Sequence, residues 1–184
     1  MNMRYVVMGI ALVSAYSANG YDLYLDGDTP ETGSYLDTSP LLTTFGTILF
    51  DGELTAVSDV DQIAAGAEGN VFDIFWSMTP VSLIFDFDIE SISFNYGGNS
   101  GGFWAEVRDE NGIVLDSFLQ TDTGDGFPAG PVSLSGLGIR SLFWNDENDG
   151  GLTHAAIDNV EIVVPAPASI SLLMMGSFVI RRRR

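Results

Sequence analysis

Cysteine and lysine are both absent from this 184-residue chain, and histidine occurs once, at His154. Without cysteine there are no disulfides, no thiolate metal sites and no thiol nucleophile. Without lysine, the only cations are the 7 arginines: Arg4, Arg108, Arg140 and the terminal run Arg181, Arg182, Arg183 and Arg184. Residues 21–164 hold all 25 acidic side chains against two arginines, a balance of −23. Nucleic-acid binding needs Lys and Arg on phosphates, so no nucleic-acid partner is expected. A lone histidine argues against a histidine-rich zinc site. Long helical periods are missing as well. The hydrophobic share, 46%, is too high for a disordered acidic tail. With 21 glycines and 11% aromatics, the composition suits a turn-rich β protein.

The two ends read as addresses. Arg4 precedes an apolar stretch over 5–13 and then small residues, the order of a secretory signal peptide. Residues 1–20 are assigned to it, with cleavage expected before Ala18 or before Tyr21. At the other end, Val164, Pro165, Ala166, Pro167 and Ser169 lead into an apolar run that closes on Arg181, Arg182, Arg183 and Arg184. Proline here is expected to end any arriving strand. As a helix, 166–180 would be about 22 Å long at roughly 1.5 Å per residue. That is short of a hydrocarbon core of about 30 Å, a gap that local thinning and arginine snorkelling narrow. Positive-inside logic keeps the terminal arginines cytoplasmic, so both ends leave the acidic middle outside.

This tail resembles the PEP-CTERM sorting signal, in its proline element, short apolar span and basic cluster. Ala166 stands where that family usually has Glu. The resemblance implies export and at least transient membrane anchoring. It also implies recognition by a membrane sorting transpeptidase (exosortase), cleavage near the two prolines, and surface attachment or release.

Between the ends, 21–164 is long enough for a core without staples. Strand signals dominate, over 43–50, 71–76, 81–87, 89–96, 103–108, 113–119, 132–134, 139–144 and 155–164. The best helical candidate, 57–67, is soon closed by glycine. Asp109-Glu110-Asn111-Gly112 reads as a hairpin turn in which Asn-Gly favours positive φ. About nine short strands with frequent turns point to an all-β, two-sheet β-sandwich. The layout over 83–162, ending in Ile157-Asp158-Asn159-Val160, is similar to the jelly-roll, galactose-binding-like domains of bacterial surface proteins. The resulting organisation is a signal peptide over 1–20, a jelly-roll-like sandwich over 21–164, and a sorting segment over 165–184 with a short apolar helix.

Three kinds of chemistry were weighed. Calcium takes six to eight oxygen ligands, and Asn145, Asp146, Glu147, Asn148 and Asp149 gather five oxygen-bearing side chains in one turn. No EF-hand spacing is present. The jelly-roll resemblance implies a structural calcium near the last strand, where Asp158 would contribute. The calcium set is thus Asn145, Asp146, Asn148, Asp149 and Asp158. A sugar-stacking surface could draw on Trp76, Trp104, Trp144, Tyr96 and Phe103, with Arg108 or Arg140 as donors; Trp104, Arg108 and Trp144 are the chosen residues. Aromatic residues in strands are more often core. A hydrolase would need His154 in a triad, and no Gly-x-Ser-x-Gly elbow accompanies it. No catalytic residue is assigned. The expected protein is an exported, surface-targeted, non-enzymatic β-sandwich of the envelope or extracellular matrix, adhesive or polysaccharide-associated. A calcium-stabilised module without a specific ligand is the alternative, and a secreted hydrolase the remotest.

Overall fold

Phe103, Ala105 and Val107 are buried, while Trp104, Glu106 and Arg108 between them are half-exposed. Such alternation makes a strand with one dry face, and it recurs along the chain. The computed structural model describes residues 16–17, 20–25, 40–52, 55–58, 70–73, 80–98, 102–121, 129–146 and 155–165. Its strands are β1 (Tyr16–Ser17), β2 (Gly20–Leu25), β3 (Pro40–Leu42), β4 (Thr47–Asp51), β5 (Thr55–Ser58), β6 (Asn70–Asp73), β7 (Val81–Gly98), β8 (Gly102–Arg108), β9 (Val114–Thr121), β10 (Ala129–Asn145) and β11 (Ala155–Pro165). The architecture is the expected all-β sandwich.

Two expected pairs of short strands are each a single long one. The runs over 81–87 and 89–96 merge into the 18-residue β7, and those over 132–134 and 139–144 into the 17-residue β10. These two strands pair antiparallel from Ala129↔Gly97 to Trp144↔Val81, with register shifts between Ser135 and Ile139 and between Ile139 and Ser141. The shifts bend the ladder, so its halves belong to different layers. Buried positions on β7 change parity across the bend. Val81, Leu83, Phe85 and Ile89 are buried before it, and Ile92, Phe94 and Tyr96 after it. Gly138, at φ 77, supplies the left-handed residue on β10.

One layer runs β3-β4-β7-β10-β8-β9, using the first half of β7 and the last part of β10. In the other, β11 pairs with the second half of β7, while β2 and β6 share the opposite edge of β11. Aromatic rings close the space between the layers. Phe50 on β4 meets Phe72 on β6 at 5.8 Å between centroids. Tyr96 on β7 meets Phe103 on β8 at 4.6 Å and Phe118 on β9 at 5.1 Å. Burial pushes the Tyr96 phenol above its usual range, so the ring stays neutral. Trp144 Nε1 donates to the Ala155 carbonyl at 3.1 Å, a buried bond from β10 to β11.

The Ile157-Asp158-Asn159-Val160 element has a physical role. The register of β11 against β7 shifts between Asp158 and Glu161, and Asn159 takes φ 52. The extra residue lets Ile157 and Val160, three positions apart, both reach the core. Asparagine tolerates the left-handed region better than other residues with a Cβ.

The ends differ from expectation in two respects. Strand β11 passes through Val164, a buried core residue, to Pro165, which pairs with Gly20. Proline at the last strand position needs no further ladder bond, so the expected break falls after Pro165 rather than before it. Strand β1 and the first residue of β2 lie within 1–20 and pair with each other at Tyr16↔Tyr21 and Ser17↔Gly20. Ala166, Pro167, Ser169 and Arg181, Arg182, Arg183 and Arg184 lie outside the described residues, as does most of the 57–67 helix candidate. Among the described residues, no helix is long and apolar enough to cross a membrane.

Replacing Asn159 with Val should lower unfolding free energy by about 1–2 kcal/mol, the cost of a β-branched residue in the left-handed region. Urea denaturation measures it, and an unchanged midpoint would contradict the role given to this bulge.

Candidate functional site

The first layer has an outer face that pairing register defines residue by residue. Directly opposed residues of an antiparallel pair project to the same side. Asn145 lies opposite Trp104, Phe143 opposite Glu106, and Ser141 opposite Arg108. Across the next ladder, Ser82 lies opposite Phe143 and Ile84 opposite Ser141. Leu119 and Ser117 on β9 extend the Trp104 and Glu106 rows. Trp104, Phe143, Glu106 and Arg108 therefore share one surface, all half-exposed, while Asn145 and Ser82 beside them are buried.

The polar contacts on this face are specific. The Arg108 guanidinium carbon sits 4.5 Å from the Phe143 ring centroid, and Arg108 Nη2 donates to Glu106 Oε1. A partly exposed cation–π contact contributes about 0.5–1 kcal/mol. The ion pair fixes the fork of the arginine, and the ring beneath fixes its plane. Arg108 Nε has no hydrogen-bond partner and is buried. The set presents a tryptophan face, a phenylalanine face and a neutralised ion pair along two neighbouring strands.

A tight hairpin positions Arg108. Asp109 N donates to the Ile113 carbonyl at 3.0 Å, and Gly112 N to the Asp109 carbonyl at 3.1 Å. Gly112 has φ 76, and Asn111 does not have positive φ. The turn is thus three residues closed by a left-handed glycine, rather than an Asn-Gly pair with both residues at positive φ. The Asp109 carboxylate accepts from Ile113 N at 2.8 Å and Asn111 N at 2.9 Å. Accepting from the Ile113 and Asn111 amides holds its pKa below the usual carboxylate range.

Of the residues chosen for ligand contact, Trp104 and Arg108 are brought together on this face. Trp144 is not: it is 0% exposed, and its indole is committed to Ala155. One position along a strand reverses the side, so Phe143 takes the outward place assigned to Trp144. Phe103 and Tyr96 are core for the same reason. Phe143 and Glu106 were missed. The signal that could have found them was alternation read together from the two paired strands. Arg140 instead pairs with Asp88 at 3.0 Å at the bend of the ladder. There it helps line a shallow cleft of about 310 Å³ with Asp109, Glu110, Asn111, Leu137 and Gly138. Trp76 and His154 lie outside the described residues.

Asn145, Asp146 and Asp158, expected around calcium, are all buried. Asn145 Oδ1 accepts from Asp146 N at 2.9 Å. Asn148 and Asp149 lie outside the described residues. Among the described residues, no three acidic or histidine side chains converge on a point that could hold a metal ion. The described part of this set is therefore not a calcium cage by itself.

No family model matches the chain. No curated protein matches it either. Solved structures do. The K2 cleaved adhesin domain of Lys-gingipain aligns with 78% of this chain and 98% of its own length, at 11% identity and TM-score 0.52. The K1 cleaved adhesin domain from Porphyromonas gingivalis W83 aligns with 80% and 100% of the two chains, at 10% identity and TM-score 0.50. A family 29 carbohydrate-binding module aligns more loosely, over 76% and 89%, at 12% identity and TM-score 0.40. At such identities the adhesin domains share a β-sandwich fold with this chain, and no more is taken from them.

The Asp109 turn gives a pH dependence of defined sign. Its folded pKa is depressed, so its contribution to stability is present above the ordinary aspartate range and lost as pH falls through the folded value. Wild type should melt above Asp109→Asn at neutral pH, and the difference should close in acid below the normal aspartate range. A gap that stays constant with pH would rule out the carboxylate as the cause.

Proposed function

We propose that this chain is an exported, surface-targeted, non-enzymatic β-sandwich protein of the bacterial envelope or extracellular matrix. Its outer Trp104–Phe143–Arg108–Glu106 face binds polysaccharide. One observation carries the binding half: two half-exposed aromatic rings and a fixed ion pair share a single sheet face. Sugar rings offer apolar C–H faces and hydroxyl rims, which match rings flanked by oriented donors and acceptors. Charge narrows the ligand. Arg108 is neutralised by Glu106, and a domain balance of −23 repels polyanions. The glycan is therefore neutral or carries amino groups, rather than uronates or sulfates.

The address half is supported by the order of proline element, apolar run and arginine cluster behind an acidic domain. It places the protein at the cell surface, with a membrane sorting transpeptidase of the exosortase type as processing partner. A second reading, a calcium-stabilised module, is favoured by the burial of Asn145, Asp146 and Asp158, since burying carboxylates is costly without compensation. Calcium raising the melting temperature beyond an equal concentration of magnesium would support it, and identical melting would remove it.

Glycan-array binding followed by titration tests the main reading. Trp104→Ala should weaken binding roughly tenfold, about 1.4 kcal/mol, while Trp104→Phe keeps most of it. A wild-type chain silent against neutral and amino glycans would falsify the sugar site. For the address, residues 160–184 fused to a secreted reporter should hold it at the membrane until the tail is cut. Release with the tail intact would defeat that half alone.

A further inference from the structure

Strand β9 is a sheet edge without the usual guards. It pairs with β8 and with no other described strand, and it is eight residues long. The other described edges are shorter: β1 has two residues, β3 three with Pro40 at its head, and β5 four. Long edges are normally blunted by proline, lysine or an outward charge, because their free amides and carbonyls invite another strand. The sequence of β9, Val-Leu-Asp-Ser-Phe-Leu-Gln-Thr, has no proline and one charge. That charge does not guard the edge. The Asp116 carboxylate is turned inward, accepting from Ser135 N at 3.0 Å and Ser117 N at 2.9 Å. The side chains that do stand out are apolar. Leu119 is 58% exposed, Ile113 just before the strand 60%, and Leu137 on the bend 87%; Val114 and Leu115 are exposed as well.

We propose that the β9 edge is a self-association surface, on which a second copy of this chain adds its own β9 antiparallel about a twofold axis at Ser117. Charge argues for the occupant. The chain carries −18 overall, so a cationic partner would be drawn to its acidic surfaces, whereas this edge offers apolar side chains and backbone. Two copies repel least through their least charged strip. The strip is also self-complementary, as a closed twofold contact requires. With Ser117 on the axis, Leu115 lies opposite Leu119 of the partner subunit, and the reverse pair forms on the other side. Each exposed leucine gains an apolar cross-strand neighbour. A strand edge with two such pairs buries less than the roughly 1,200 Å² of a standard stable interface. The dimer is accordingly weak in dilute solution and favoured where chains are crowded. It would join the outer faces of two first layers into one sheet carrying two Trp104–Phe143 sets. Self-association does not depend on what those sets bind.

The chain has no cysteine, which makes cross-linking clean. Ser117→Cys in the full-length protein, treated with copper-phenanthroline or a short bis-maleimide, should give a species of twice the chain mass. Its yield should exceed that of the exposed control Ser133→Cys by roughly tenfold, from the raised local concentration. Adding Leu119→Lys, a charge of the kind that guards edges, should return it to the control level. Equal yields from the two cysteines, or a product of any other mass, overturns the proposal. Sedimentation of the cysteine-free protein gives a second reading. Wild type should show mass increasing with concentration and Leu119→Lys should not; identical behaviour of the two also overturns it. Glycan titration of Leu119→Lys, read per chain, separates loss of the dimer from failure of the sugar site.

Discussion

From Val81 to Gly98 the chain runs as one strand, and β10 follows it antiparallel along nearly its whole length. The fold depends on that bent ladder. Each half sits in a different layer, so every other described strand is hung, directly or through a neighbour, on β7 or β10. Strands β4 and β8 flank the first half of β7 and the last part of β10, and β11 flanks the second half of β7. A ladder that stays paired through its bend keeps backbone groups satisfied at the corner, where two separate strands would each leave loose ends. Exposed Asp86, Asp88 and Glu90 occupy the bend of β7. Asp86 Oδ1 accepts from Thr47 N at 2.6 Å, and Asp88 pairs with Arg140. The corner is therefore polar outside while the core passes unbroken beneath it.

The same scaffold explains why the outer face of the first layer can serve as a site. Its strands are packed from below by Phe103, Val107, Leu142 and Trp144, all buried. Rings above that floor are held by register, not by loops, which suits a surface that must present flat groups at fixed spacing. Charge works in the same direction. Each described arginine is already spent on a carboxylate neighbour, so the surface selects against anions and leaves stacking and hydrogen bonding to discriminate.

Much of the fold was legible. Alternation over 103–108 and the Asp-Glu-Asn-Gly turn are local signals, and both elements formed where expected. Continuity of β7 and β10 was not legible, because acids and glycines in mid-strand read as turns when no partner strand is in view. The Asn159 bulge was visible as a motif but not as a device, since its purpose is to change parity relative to β7. For the site, Trp104 and Arg108 could be nominated from residue type, and Trp144 was nominated on the same ground and was wrong.

The chain by itself determined its strand content, its turn at Asp109 and a charge distribution that confines nearly all cations to the termini, because each follows from neighbours a few residues apart. The sides of the strands were decided only by tertiary structure. Trp144 and Phe143 are adjacent, both aromatic and equally suited to a strand. Pairing Trp144 with Val81 and Phe143 with Ser82 sends one into the core and the other to the surface. A strand has no inside until a second layer covers one of its faces.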